Sequence, residues 1–331
     1  MTGKYEIRIE NRSLVYEFTI RRNITVIRGN SATGKTTLIE MISSYERDGE
    51  ESGISLKCKK NCTALTDVRW EENLGQIHDS IIFIDEDYRF VRSQKFAEMV
   101  KASDDYFVLV TRDNLYNLPY SVDEIYGIHV SGKYSDLKRT YNELYHVYGN
   151  VSMTRYSDKE QTKQLIVEDS NSGFDFFSKI SSNAECISAG GKTRIYRLLL
   201  ENKDRCCLII ADGAAFGSEM EKIYEMIQAG YKVALYLPES FEWLILRSGL
   251  IDGNRVKNIL EHPEDYIDSQ KYFSWEKFFT SLLIHETEGT YLRYSKDSLN
   301  NVYLNEKEKK AIIDVLPDDV RKNIKGDEQY A

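Results

Sequence analysis

The sequence predicts an α/β protein built on two successive sheets, and three observations carry that expectation. Residues 29–37, reading GNSATGKTT, follow the apolar run 24–27 and precede apolar positions at helical spacing, Leu38, Ile39, Met41 and Ile42. Further apolar runs at 80–84, 106–110 and 125–130 have the length and continuity of strands buried on both faces. After a polar stretch at 150–164 the alternation begins afresh, with runs at 164–167, 184–187, 206–210 and 231–237. The boundaries that follow are a first domain at 1–150, a second at 163–247 and a helical region at 248–331.

Composition narrows the class. A chain of 331 residues can bury two or three cores. The first eight residues alternate charged and apolar side chains without a hydrophobic signal core, and no segment approaches a membrane span. A cytoplasmic protein with no membrane partner is expected. Five cysteines, Cys58, Cys62, Cys186, Cys206 and Cys207, form no secreted disulfide framework and suit a reducing compartment. Cys58 and Cys62 have the spacing of half a zinc site, but no second pair follows at suitable spacing, which favours loop or strand thiols. The net charge of −9 argues against indiscriminate nucleic-acid binding while leaving room for a local basic groove, for which Lys57, Lys59 and Lys60 or Lys192, Arg194 and Arg197 are candidates.

Taken in order, the alternating segments 5–10 and 14–19, separated by Asn11, Arg12 and Ser13, read as an antiparallel hairpin. The run 24–27 then leads into G-x-x-x-x-G-K-[ST], a loop whose backbone N–H groups converge on phosphates at a helix start. Gly29, Asn30, Ser31, Ala32, Thr33, Gly34, Lys35, Thr36 and Thr37 are the nucleotide-binding candidates. Lys35 supplies charge at the β/γ oxygens and Thr36 a hydroxyl for Mg²⁺. The run at 80–84 ends in Asp85, Glu86 and Asp87, the form of a Walker B segment. Asp85 is expected to hold Mg²⁺ through water and Glu86 to act as the general base on the attacking water. The strand at 106–110 ends in Thr111, the candidate γ-phosphate sensor, and Arg112, more readily a surface residue.

These segments resemble ABC-type ATPases, which are P-loop NTPases with a largely parallel sheet. The likeness covers the hairpin, phosphate loop, Walker B segment and sensor strand. It departs in the middle, where only 50 positions separate Lys35 from Asp85 and no Leu-Ser-Gly-Gly signature occurs. The dimer that sandwiches ATP against that signature is therefore not implied. Asn202, Lys203 and Asp204 lack the spacing of a guanine-reading motif, so ATP is the expected nucleotide.

In the second half, strand ends carry Glu168 and Asp169, then Ser188 to Lys192 (SAGGK), then Asp212 and Gly213, then Pro238 and Glu239. Open α/β sheets build sites at that edge. Gly191-Lys192-Thr193 is not a second phosphate loop, because Cys186 stands where its first glycine belongs. With residues 211–217 (ADGAAFG), this half resembles a Toprim domain over about 163–247. The resemblance implies that Glu168 and Asp212 bind Mg²⁺, with Mn²⁺ as an alternative, for phosphodiester cleavage. Ala214 replaces the second aspartate of that family's Asp-x-Asp, which removes one carboxylate; Glu239 or Glu219 are the candidates to complete the set.

An ATPase joined to a Toprim-like domain resembles the OLD nucleases and related anti-phage proteins, which implies ATP-controlled action on nucleic acid. The aromatic and charged sequence beyond residue 248, including 275–283 and 306–316, reads as a helical cap or partner surface without chemistry of its own. The competing expectation is a nucleotide-dependent switch whose second domain has lost catalysis and binds a protein or nucleic-acid partner; Ala214 favours it.

Overall fold

In the computed structural model, which describes residues 1–29, 34–66, 68–85, 88–130, 139–148, 153–154 and 162–325, the chain divides into two units. One comprises Met1–Gly149 with His262–Ser274, the other Asn150–Glu261 with Trp275–Ala331. Residues 262–274, inside the region expected to be helical, thus belong with the first unit. Most of the polar stretch 150–164 lies outside the described residues.

The first unit is built on a mixed sheet. Its strands are Tyr5–Glu10 (β1), Leu14–Ile20 (β2), Ile24–Arg28 (β3), Ser55–Lys57 (β4), Asn61–Ala64 (β5), Ser80–Ile84 (β6), Tyr106–Val110 (β7), Ile125–Val130 (β8) and Thr140–His146 (β9). Helices Lys35–Asp48 (α1), Trp70–Leu74 (α2) and Gln94–Ala102 (α3) accompany them. The order among the described residues is β4-β1-β2-β9-β8-β3-β7-β6-β5. The expected hairpin is present, with Ile7 opposite Phe18. β3, β7, β6 and β5 run parallel, and each of the central three is buried throughout, which explains their unbroken apolar sequences. β9 corrects the expectation of a parallel sheet: it pairs antiparallel to β8 and parallel to β2, so the sheet is mixed.

The two edge strands, β4 and β5, are only three residues apart in sequence. Because extended chain spans at most ~3.5 Å per residue, the edges can lie no more than about 14 Å apart, and the sheet must curl. α1 fills the curl, burying Leu38, Met41 and Ile42 among Ile7, Ile9, Phe18, Ile81, Phe83 and Val108. At the start of β3 a carboxylate is buried deliberately: Glu124 takes Arg21 Nε at 3.1 Å, Arg22 Nε at 3.4 Å and the Thr25 hydroxyl at 3.2 Å.

The second unit has strands Met153–Thr154 (β10), Gln164–Val167 (β11), Glu185–Ser188 (β12), Cys207–Ile210 (β13) and Val233–Tyr236 (β14). Its helices are Ser172–Ile180 (α4), Lys192–Glu201 (α5), Gly217–Gln228 (α6), Phe241–Arg247 (α7), Asn254–Glu261 (α8), Trp275–Thr287 (α9), Glu306–Val315 (α10) and Asp318–Lys325 (α11). The order is β10-β14-β13-β11-β12, parallel except for β10. Successive connections leave β11 in opposite directions, toward β12 first and then across to β13. That reversal is a topological switch point, where the loops following β11 and β13 diverge and leave a crevice at the strand ends. Each unit is therefore an α/β assembly.

Candidate functional site

Two sites were expected, one per unit. In the first, β3 delivers Gly29 with φ +146° and α1 begins after Gly34 with φ +84°, backbone settings that favour glycine. Gly34 is also sterically required. The Tyr16 hydroxyl donates to its carbonyl at 2.8 Å, and a Cβ on Gly34 would stand 2.6 Å from that oxygen. Lys35, only 4% exposed, folds its ammonium back across the loop to donate to the Gly29 carbonyl at 2.7 Å. Thr36 is exposed on the first turn and Thr37 is half-buried. Asn30, Ser31, Ala32 and Thr33 lie outside the described residues.

The sheet places the other expected groups along the same edge. β7 lies between β3 and β6, all parallel, so Gly29, Thr111 and Asp85 follow three adjacent strand ends. Asp85 is half-buried there, and Glu86 lies outside the described residues. Thr111 is 2% exposed, and its hydroxyl is committed to a turn: it accepts from Asp113 N–H at 3.0 Å and donates to the Asp113 carbonyl at 3.4 Å. Arg112 is exposed. Arg28, the last residue of β3, is a buried cation that the sequence did not single out. Its guanidinium donates to the Asn114 side chain and, at 3.1 Å, to the Tyr120 hydroxyl, tying the end of β3 to the segment after β7.

In the second unit, Glu168 follows β11 and Asp212 follows β13, on either side of the switch point. They meet: Asp212 N–H donates to Glu168 Oε2 at 2.9 Å. Asp169 has a different task, accepting from the N–H groups of Gly173 at 3.2 Å and Phe174 at 2.8 Å at the start of α4. Gly213 presses the turn after β13 against the end of β14, its N–H on the Pro238 carbonyl at 2.6 Å; a Cβ there would lie 2.5 Å from the Leu237 carbonyl oxygen. Ala214, beside it, is buried.

Two residues that reach this cluster come from the region read as a cap. Glu276, in the first turn of α9, takes the Lys296 ammonium at 2.6 Å, and Glu242 lies 4.0 Å from the same nitrogen while accepting from the Tyr294 hydroxyl at 2.9 Å. Lys192 donates to the Ala215 carbonyl at 2.5 Å. Glu219 is 1% exposed, with Lys222 Nζ at 3.5 Å.

The electrostatics follow from that crowding. Burial pushes the Glu168 carboxyl up to about 7, opposed by the Asp212 N–H and reinforced by Glu276. Burial, then Glu276, Glu168 and Glu242, hold Asp212 well above the carboxylate range, with Lys296 pulling the other way. Desolvation lowers Lys192, against the attraction of Glu168 and Glu219. It works against Lys296 too, but Glu242 and Glu276 outweigh it and raise that ammonium above its ordinary value.

A cavity of about 20 Å³ lies among Glu168, Asp169, Asp212, Phe177 and Phe241, room for about one water or ion. Among the described residues no group of three or more His, Cys, Asp or Glu converges as a metal site. Two neighbouring carboxylates nonetheless fit Mg²⁺, which keeps several waters and takes its remaining oxygens from substrate phosphates. A closed, all-protein metal centre does not fit. No protein-family model matches the chain, and no curated protein is similar to it in sequence.

Proposed function

We propose that the first unit binds and hydrolyses ATP with Mg²⁺ and that its nucleotide state controls the second unit, whose Glu168 and Asp212 carry metal-assisted chemistry on a phosphodiester. The observation that supports this most is the loop between β3 and α1. Two glycines at positive φ bound the loop, and the buried Lys35 at the start of α1 brings its ammonium to the Gly29 carbonyl, a setting in which backbone N–H groups at a helix start would meet phosphate. Asp85, which follows β6 on the same sheet edge, would meet the metal that accompanies the phosphates, and Thr36 would offer its hydroxyl. A bound Mg²⁺ would neutralise charge on the phosphates, and the role of Glu86 is to orient the attacking water.

In the second unit the chain's own contribution is a pair of carboxylates set at adjacent strand ends, one held by the other's N–H. A divalent ion on that pair would polarise a phosphate oxygen. Glu168 then stays ionised, because the cation offsets the crowding that otherwise favours its proton. Anti-phage defence is the setting that a fused ATPase and Toprim-like chain suggests, by family analogy alone.

A second reading is favoured by Ala214 and Lys296: the cluster lacks one acid and already holds an ammonium on Glu276, so the second unit serves as a non-cleaving switch that binds a protein or nucleic-acid partner. One experiment separates the readings. Purified protein is assayed for phosphate release from ATP and for cutting of plasmid DNA and structured RNA with Mg²⁺ or Mn²⁺, beside Lys35→Ala and Glu168→Ala. Lys35→Ala is expected to weaken ATP binding about 10- to 100-fold, the scale of one charge-assisted hydrogen bond. Cleavage lost in Glu168→Ala with ATP turnover intact supports the enzyme. ATP turnover without cleavage under either ion supports the switch, and no ATP binding at all overturns both.

A further inference from the structure

The connection that lets the first unit's sheet curl carries chemistry unrelated to phosphate. Residues 58–60 join β4 to β5, the two sheet edges. Cys58 is half-buried and lines an open groove of about 900 Å³ with Tyr5, Arg8, Lys57, Lys59 and Asp265. Cys62, at the start of β5, is 3% exposed and sits in the core behind it. The two sulfurs meet the backbone of the same residue: the Lys60 N–H donates to Cys58 Sγ at 3.4 Å, and Cys62 Sγ donates to the Lys60 carbonyl at 3.8 Å. The other groups facing the pair are the Lys60 ammonium, ion-paired to Asp79, and the Tyr5 ring of β1.

We propose that Cys58 and Cys62 form a peroxide-reactive dithiol site, with Cys58 as the attacking thiolate and Cys62 as the resolving thiol. Cys58 Sγ attacks one oxygen of hydrogen peroxide. The O–O bond breaks, hydroxide leaves and is neutralised to water by the proton that Cys58 released on ionising, and the sulfur is oxidised by two electrons to sulfenic acid as the peroxide is reduced. Cys62 Sγ then attacks the sulfenic sulfur. The S–S bond forms, the S–O bond breaks, and the departing hydroxide takes the Cys62 proton, so two thiols and one peroxide become one disulfide and two waters.

The division of labour follows from the hydrogen bonds. The Cys62 thiol, and after it the N–H groups of Lys60 and Lys59, hold Cys58 down to about 6 against the effect of burial. Cys62 donates to the Lys60 carbonyl, and the neighbouring Cys58 together with burial raises it, so it keeps the proton it must lose in the second step. Burial instead pushes Cys186 up to about 12 and Cys207 up to about 11. At neutral pH, the larger thiolate fraction at Cys58, discounted for the lower nucleophilicity of a weaker base, makes it about 50-fold more reactive than Cys207 before access is counted.

The test uses the full-length reduced protein, treated with hydrogen peroxide at neutral pH, quenched by alkylation and mapped by peptide mass spectrometry. The expected result is a disulfide between Cys58 and Cys62 that forms about 50-fold faster than Cys207 is consumed. Cys62→Ala should stop the reaction at a sulfenic acid on Cys58 that dimedone captures, and Cys58→Ser should abolish both products. Cys58 consumed no faster than Cys207, or left as a sulfenic acid in the wild type without joining Cys62, overturns the proposal. Because Cys62 is a core residue its variant can misfold, but the wild-type peptide map decides the question without it.

Discussion

Replacing Glu168 by Gln tests the crowded carboxylate pair directly. The amide keeps an oxygen where Oε2 accepts the Asp212 N–H at 2.9 Å, but it carries no charge at any pH. In the wild type the folded-state carboxyl is raised from 4.5 to about 7. A group raised in this way contributes its full stability while protonated, below the unfolded value, and loses it as pH climbs through the folded value. At 1.36 kcal/mol per unit, Glu168 therefore costs the second unit up to about 3 kcal/mol between about pH 4.5 and pH 8 in the absence of divalent ions. Urea unfolding with EDTA present reads this out. Trp243 and Trp275 belong to the second unit and Trp70 to the first, so fluorescence in a Trp70→Phe background follows the second unit alone. Glu168→Gln should reduce the fall in stability toward high pH, and the remaining slope should belong to Asp212. A slope unchanged by the substitution would refute the claim that Glu168 is held in a desolvated, like-charged site.

Three further outcomes follow from other parts of the fold. Gly34→Ala should destabilise the first unit by about 1–3 kcal/mol, since it adds a Cβ at φ +84° and 2.6 Å from the Tyr16 hydroxyl; Tyr16→Phe should recover part of that loss in a thermal melt. Glu124→Ala removes a buried carboxylate from Arg21, Arg22 and Thr25 and should cost about 3–5 kcal/mol, followed by Trp70, whose ring stacks on Phe90 at 4.6 Å. Lys296→Met strips the ammonium from Glu276 and Glu242, and should cost the second unit about 1–3 kcal/mol at neutral pH, less in acid, where the carboxyls can take protons; equal losses at both pH values would show that packing matters more than charge.

The parts of the two sites that could be read from sequence are those fixed by local backbone demands. Gly29 and Gly34 are legible because a loop that turns its N–H groups inward needs positive φ at those points, and Glu168 and Asp212 because they end apolar strands. β4 and β5 were missed since three- and four-residue strands, SLK and NCTA, have no period to detect. β9, reading TYNELYH, was missed because its apolar alternation is weak; it joins the hairpin to the parallel strands, pairing parallel to β2 and antiparallel to β8. Glu276 had the sequence signature of an ordinary first-turn acid on a helix, and Lys296 had none. Only the packing of the second unit brings them to Asp212, so the region that looked inert supplies one of that cluster's four carboxylates and one of its two ammoniums.

That balance connects the two functional readings of the second unit. Glu168, Asp212, Glu242 and Glu276 face only Lys192 and Lys296, so the cluster has carboxylates in excess of ammoniums. A desolvated excess of negative charge is relieved by protons or by a cation. The raised pKa of Glu168 is the proton solution. If a divalent ion is the working solution, adding Mg²⁺ at about pH 8 should restore the stability that ionisation removes, and Glu168→Gln should abolish that response together with the Glu168 share of the slope. If Lys296 and shared protons are the working solution, the slope remains while Mg²⁺ leaves it untouched. That outcome would favour the non-cleaving switch proposed above, with a buried alanine, Ala214, rather than a further acid beside Asp212.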